Sequence, residues 1–183
     1  MCGLVGLISS YRNGFSYGEA SMFQDMLYMD ALRGMDATGI MYADRWNNIQ
    51  VHKAAIPGAA FLRTTEWESS KRELVQDGKW AFGHNRAATR GDKTDKNSHP
   101  FNVDDKILLM QNGTYKGSHA HLKNTDVDTE ACAHVLANEE DISKALKSLN
   151  AAYAFIWYNV VKKTIYLIRN EERPLYVGYL KDG

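Results

Sequence analysis

The chain is short of cysteine, short of proline and balanced in charge, and each shortage removes a class of protein. Its 183 residues include 2 cysteines, Cys2 and Cys132, and 3 prolines. So few thiols do not make a disulfide framework. A chain organised without one reads as cytoplasmic, where thiols stay reduced. Basic and acidic residues both number 22, for a formal net charge of zero, so no charge excess draws the chain to nucleic acid or to a membrane surface. No apolar stretch is long enough to span a bilayer. The apolar run at the N-terminus is short and lacks a basic region ahead of it, which argues against a signal peptide. What is present, 44% hydrophobic and 24% charged residues, is the composition of an ordinary globular protein. The length fits one domain, residues 1–183, with a core of real size. No internal repeat or low-complexity tract stands out.

The pattern predicts many strands and few helices. Strands are expected over Leu4–Ser9, Thr38–Ala43, Ile49–Ala54, from Trp80 towards Thr89, Ile107–Gln111, Tyr153–Val160, Thr164–Ile168 and Leu175–Tyr179. Ser16 and Glu19 have the spacing of a capping box. Behind them Met22, Phe23, Met26, Leu27 and Leu32 recur at helical spacing, with Gly34 placed to stop the helix. Further helices are expected over Glu66–Gln76, Asp128–Leu136 and Asp141–Leu149. Asn47-Asn48 reads as a turn, and Gly91–Pro100 as a loop. Strands in number with helices grouped in pairs indicate an α+β layered fold.

Cys2 is the residue with the most chemistry in it. It follows an initiator Met, which is normally removed before a small residue, and the mature chain would then carry a thiol and a free α-amine on one residue. An α-amine titrates near ~7.7–8.0 and can take a thiol's proton at neutral pH. Nucleophile and base are then supplied together. With Met1 retained, the nitrogen of Cys2 is an amide and that form is inactive. A buried cysteine opening a strand is the structural alternative.

Several strands end in polar residues that a purely structural strand does not need. Strand 80–86 runs into Gly83-His84-Asn85-Arg86, strand 107–111 into Asn112-Gly113, and a helix opens at Asp128. Singly, each has a structural explanation: a turn, a solvated edge, a helix cap. Together they match the needs of amide cleavage by a thiolate. The tetrahedral oxyanion needs a side-chain amide and a backbone N–H, which Asn112 and Gly113 could supply from one turn. An amino-acid substrate would offer its α-carboxylate to an arginine, here Arg86, and its α-ammonium to a carboxylate, here Asp128.

The segments MCGLVGL at 1–7, LRGMDATGI at 32–40, GHNRAATRG at 83–91, NSHPF at 97–101, QNGTYKG at 111–117, VDTEACAHVL at 127–136, AYAFIWYN at 152–159 and RPLYVG at 173–178 resemble, in order, those of a class II glutamine amidotransferase domain. This is an N-terminal-nucleophile hydrolase, similar to the glutaminase domains of glucosamine-6-phosphate synthase and amidophosphoribosyltransferase. The resemblance implies a four-layer αββα sandwich. It implies hydrolysis of the side-chain amide of L-glutamine through a thioester on Cys2, giving glutamate and ammonia, with no metal and no cofactor. Cys2 matches the nucleophile and Asn112 and Gly113 the oxyanion pair. Arg86 matches the α-carboxylate ligand and Asp128 the α-ammonium ligand, with Thr89 and Gly91 in the same substrate loop. Arg33 and Asp36 match supporting positions. His84, His99 and Cys132 are read as structural.

The chain also departs from the pattern. Arg90 stands where many relatives carry His or another residue, Ala87 where several carry an aromatic, and Asn150-Ala151-Ala152-Tyr153 replaces the commoner Gly-Ala-Tyr. The stretch from Tyr115 to Asp128 is short. The sequence stops five residues after Gly178, with nothing resembling a sugar isomerase, a phosphoribosyl site or an ATP motif. The expectation is a compact glutaminase, or a fragment, that passes ammonia to a separate synthase subunit. Two other readings stay open: a hydrolase of a different linear amide, and a non-catalytic module that binds glutamine or assembles with a partner.

Overall fold

Alternating strand residues bury both faces of each sheet, and that fixes the layering. The computed structural model describes residues 2–9, 13–117 and 125–180; Met1 and part of the Tyr115–Asp128 stretch fall outside them. Two four-stranded antiparallel sheets are present. The first holds β1 (Gly3–Ile8), β2 (Ala37–Asp44), β3 (Ile49–Ala54) and β4 (Gly78–Arg86), in the order β1-β4-β2-β3. The second holds β5 (Phe101–Val103), β6 (Ile107–Tyr115), β7 (Ala151–Asn159) and β8 (Thr164–Arg169), in chain order. Met41, Ala43, Trp80 and Phe82 of the first sheet meet Leu108, Met110, Ile156 and Tyr158 of the second in a dry layer between them.

Helices cover the outer faces. The opposite face of the first sheet, with Ile40, Tyr42 and Ala81, packs on α1 (Tyr17–Asp30), α2 (Gly58–Phe61) and α3 (Thr65–Asp77) through Ala20, Phe23, Leu27, Phe61, Trp67 and Leu74. The second sheet packs Leu109, Phe155 and Trp157 on α4 (Asp128–Asn138) and α5 (Ile142–Ser148). The order helix, sheet, sheet, helix is the four-layer αββα sandwich. Full burial of a side chain such as Phe23 or Leu27 contributes about 1.5–3 kcal/mol, so the three apolar layers carry the fold.

The local signals are present where expected. Ser16 Oγ accepts from the N–H of Glu19 at 3.1 Å, and Glu19 Oε2 accepts from the N–H of Ser16 at 2.7 Å, closing the capping box. The β2–β3 turn places Asn47 at φ 66°, a conformation that asparagine tolerates.

Five expectations need correction. The α1 face is made by Ala20, Phe23 and Leu27, whereas Met22 and Leu32 are exposed, Leu32 by 80%. The α-helix ends at Asp30 and tightens into a 3-10 turn over Ala31–Arg33, which rotates Leu32 off the helical stripe. Asn112-Gly113 is no turn: both residues continue β6, paired with Ala154 and Tyr153. Asp128 is the first helical residue of α4 and does not cap it; the cap position is Val127. The pattern also missed β5 and α2, which are too short to show a period. Finally, Leu175–Tyr179 joins no ladder among the described residues, and Tyr176 is 89% exposed. Strand propensity without a partner strand does not make a strand.

Candidate active site

Pleat alternation brings the site together at one end of the sandwich. Trp80 and Phe82 face the inter-sheet layer, so His84 and Arg86, further along β4, continue that row. Leu4 on β1 and Leu108 and Met110 on β6 lie in or against the same layer. Two residues beyond them along the chain, Cys2, just ahead of β1, and Asn112 on β6 continue the row. Gly3 pairs with Asn85, and His84 donates from Nε2 to the Gln111 carbonyl at 3.0 Å, which locks the strand ends of the two sheets in one place. Gly3 sits so close to the Asp30 carboxylate that a Cβ there would overlap it.

A small cavity of about 20 Å³ opens at this end, the size of roughly one water. Cys2, Arg86, Ala87, Thr89, Arg90, Gln111, Gly113 and Asp128 are among its lining residues. Six of the anticipated residues, Cys2, Arg86, Thr89, Gly113, Asp128 and the neighbour Asn112 on β6, are thus gathered around one space or beside it. Gly91 does not line it. It adopts φ +75° against Asp126 and Val127, where a side chain would meet backbone, and so shapes the loop.

Arg33 and Asp36 stand behind the wall. Arg33 Nε donates to the Cys2 carbonyl at 3.2 Å. Asp36 Oδ2 accepts from the Ala88 N–H at 2.8 Å, and Oδ1 pairs with Lys93 Nζ at 2.6 Å. These two partners, the lysine first, hold the Asp36 carboxyl below its usual range.

The polar groups have defined partners. The Cys2 thiol donates to the Ala87 carbonyl at 3.7 Å. Burial pushes its pKa up, against the opposing pull of that hydrogen bond. Arg86 is buried, and its guanidinium donates to the carbonyls of Asp92 at 2.9 Å, Arg90 at 2.6 Å and Gly91 at 3.4 Å. Asp128 Oδ2 accepts from the Tyr115 N–H at 3.1 Å. Its Oδ1 is buried and accepts no hydrogen bond among the described residues, with Arg90 Nη1 3.9 Å away.

His84 and His99 lie against each other with ring centroids 3.6 Å apart and ring planes tilted by 39°, and His99 lines the cavity. His99 Nε2 bonds to Thr129 Oγ1 at 2.7 Å, while both Nδ1 atoms lack a hydrogen-bond partner among the described residues. Burial lowers His84 to about 3 and His99 well below its ordinary value, so both rings are neutral. Cys132 is buried in the α4 layer, its thiol pushed up to about 12 by burial.

The profile of the glutamine amidotransferase domain family matches residues 84–183, which include Arg86, Asn112, Gly113 and Asp128. The chain belongs to the class II glutamine amidotransferase domains. It is 28% identical to the isomerizing glutamine–fructose-6-phosphate aminotransferase of Sulfolobus acidocaldarius, over 97% of this chain and 31% of that protein. It is 29% identical to the Thermus thermophilus enzyme of the same name, over 97% of this chain and 30% of that one. The chain therefore spans about a third of the length of these curated relatives. In fold it is similar to the glutamine phosphoribosylpyrophosphate amidotransferase of B. subtilis, with TM-score 0.60 and 23% identity over 86% of this chain and 35% of that one. The amidotransferase domain here thus has the N-terminal-nucleophile hydrolase fold. Among the described residues no helix is long and apolar enough to cross a membrane.

Sequence reasoning missed three contributors to this domain's site. Gln111 lines the cavity and neighbours Gly113, but reads in sequence as the end of an apolar strand. Thr129 reads as an ordinary helix residue. Lys53 Nζ donates to the carbonyls of Lys96, Ser98 and Pro100 at 3.2, 2.9 and 3.1 Å, pinning the loop that carries His99. Nothing local marks it, because its partners lie more than forty residues away.

Proposed function

We propose that this domain hydrolyses the side-chain amide of L-glutamine through Cys2 and delivers ammonia to a separate synthase subunit. One observation carries the reading: a thiol, a buried arginine, a carboxylate with an open buried oxygen and the Gly113 backbone line a single cavity. The Cys2 sulfur attacks the amide carbon once its proton has passed to a base. The α-amine of a chain lacking Met1 is the base in reach. Carbon–sulfur bond formation places negative charge on oxygen, met by the Asn112 side-chain amide and the Gly113 N–H. The carbon–nitrogen bond breaks, and nitrogen leaves as ammonia with the proton held by the amine. Water then cleaves the γ-glutamyl thioester, restoring the thiol and releasing glutamate. Arg86 holds the α-carboxylate and Asp128 the α-ammonium, with Thr89 in the wall. Arg33 and Asp36 position Cys2 and the loop. None of these steps calls on a metal or cofactor.

The test is intact mass after incubation with a glutamine-analogue electrophile such as diazo-oxo-norleucine. The expected product lacks Met1, carries one adduct at Cys2 and is protected by glutamine. A chain that keeps Met1 and takes no adduct sinks the mechanism and favours a glutamine-binding or assembly module. Turnover of other linear amides without glutaminase activity would move the substrate.

A further inference from the structure

Three of the groups that the proposed function assigns to glutamine, Cys2, Arg86 and Asp128, each face a group from the same short loop. The thiol of Cys2 faces a carbonyl, that of Ala87. The guanidinium of Arg86 holds the carbonyl oxygens of Arg90, Gly91 and Asp92, where a carboxylate would sit. The open oxygen of Asp128 faces a cation, the guanidinium of Arg90. Carbonyl at sulfur, oxygens at arginine and cation at carboxylate are the three polar features of glutamine. The cavity that remains holds about one water, which leaves no room for an amino acid.

We propose that residues 87–92 are an internal substitute for glutamine, with Arg90 as the residue that sets the domain's affinity for it. The loop is clasped at both ends, by the Ala88 N–H and the Lys93 ammonium on Asp36, and Gly91 gives it the left-handed turn that brings Arg90 towards Asp128. Glutamine must displace the loop to enter. Its apparent affinity is therefore its intrinsic affinity reduced by the fraction of molecules in which the loop has lifted. Arg90 is 37% exposed and its contact with Asp128 is long, so the contact is a weak clasp that substrate can break.

This inference rests on the glutaminase reading, and steady-state kinetics of glutamate release by the Met1-processed protein separates the two. Arg90→Gln removes the cation and keeps a polar side chain of similar reach. KM for glutamine is expected to fall about two- to fivefold, as loss of a partly exposed ion pair allows, with the change in KM rather than kcat. Arg90→Lys, which keeps the charge, is expected to hold KM near the parent value. An unchanged KM in Arg90→Gln overturns the internal-substitute reading and leaves the glutaminase intact. A raised KM also overturns it, because Arg90 would then be helping to bind substrate. No glutamate release from the folded parent and variant alike overturns the glutaminase reading and this inference with it. Alkylation of Cys2 by iodoacetamide gives a second readout without glutamine. It is expected to be faster in Arg90→Gln, and an equal rate counts against loop displacement.

Discussion

Arg33 Nε donates to the main-chain oxygen of Cys2 across 3.2 Å, tying the 3-10 turn after α1 to the residue just ahead of β1. The side chain is 43% exposed and its other partner, Asp30, is 3.9 Å away. It therefore contributes little to stability while fixing where the thiol sits. Arg33→Ala is expected to lower kcat for glutamine hydrolysis about 10- to 100-fold, the cost of a misplaced nucleophile. The melting temperature should shift by no more than a few degrees. An unchanged kcat would remove the positioning role.

The charge of Asp128 can be separated from its shape. Its Oδ2 accepts the Tyr115 N–H at 3.1 Å, which ties α4 to β6. Asp128→Asn keeps an acceptor for that N–H but loses the anion. If the carboxylate holds the α-ammonium of glutamine, the substitution raises KM about tenfold or more and changes kcat less, the pattern of a lost ground-state contact. Asp128→Ala should raise KM as well and also lower stability, since it leaves the Tyr115 N–H without its partner. Parallel kinetics and melting curves of the two variants check this. A loss confined to kcat would contradict it.

The two thiols differ in environment and should differ in reactivity. Cys2 lines the cavity, whereas Cys132 lies in the core under α4. Iodoacetamide should label Cys2 in the native protein and Cys132 only after denaturation. Burial raises the pKa of Cys2, so its labelling should climb steeply above pH about 8.5, where an ordinary thiol ionises. Peptide mapping across a pH series reads both. Labelling of Cys132 under native conditions would mean that the α4 layer opens.

Much of this was legible because it is periodic or covalent. The Ser16–Glu19 box, the strand β3 and the row of apolar residues in β6 and β7 are local patterns, and they sit where the sequence puts them. The site residues were legible as a set of types, because amide cleavage calls for a thiol, an arginine, a carboxylate and an amide. What escaped depends on the assembled fold. Leu32 looks like a core residue until the helix tightens before it. Asn112-Gly113 looks like a turn until β7 pairs with it. Arg86 looks like a solvated strand end until the loop closes over it. Lys53 has no local signal, because what it does is cap carbonyls brought to it from the loop ahead of β5.

The paired histidines set a pH limit on the fold. His84 and His99 are fully enclosed, and burial is the main reason both stay neutral, His84 with a pKa lowered to about 3. The nearby Arg86 guanidinium opposes protonation of both rings, and the Lys53 ammonium opposes it at His99. In the unfolded chain each ring titrates near ~6.5. Above that pH neither state is protonated and the rings leave stability independent of pH. Below it the unfolded chain binds protons that the folded chain refuses, so stability falls as pH drops from about 6.5 towards the folded values. Each ring contributes up to about 1.4 kcal/mol per pH unit in that window, and the two together make the loss steep. Denaturant melts at pH 7.5, 6.5 and 5.5 should give midpoints that slip slightly between the first two and fall sharply by the third. A midpoint unchanged at pH 5.5 would mean that the two rings take up protons in the folded protein as readily as in the unfolded chain.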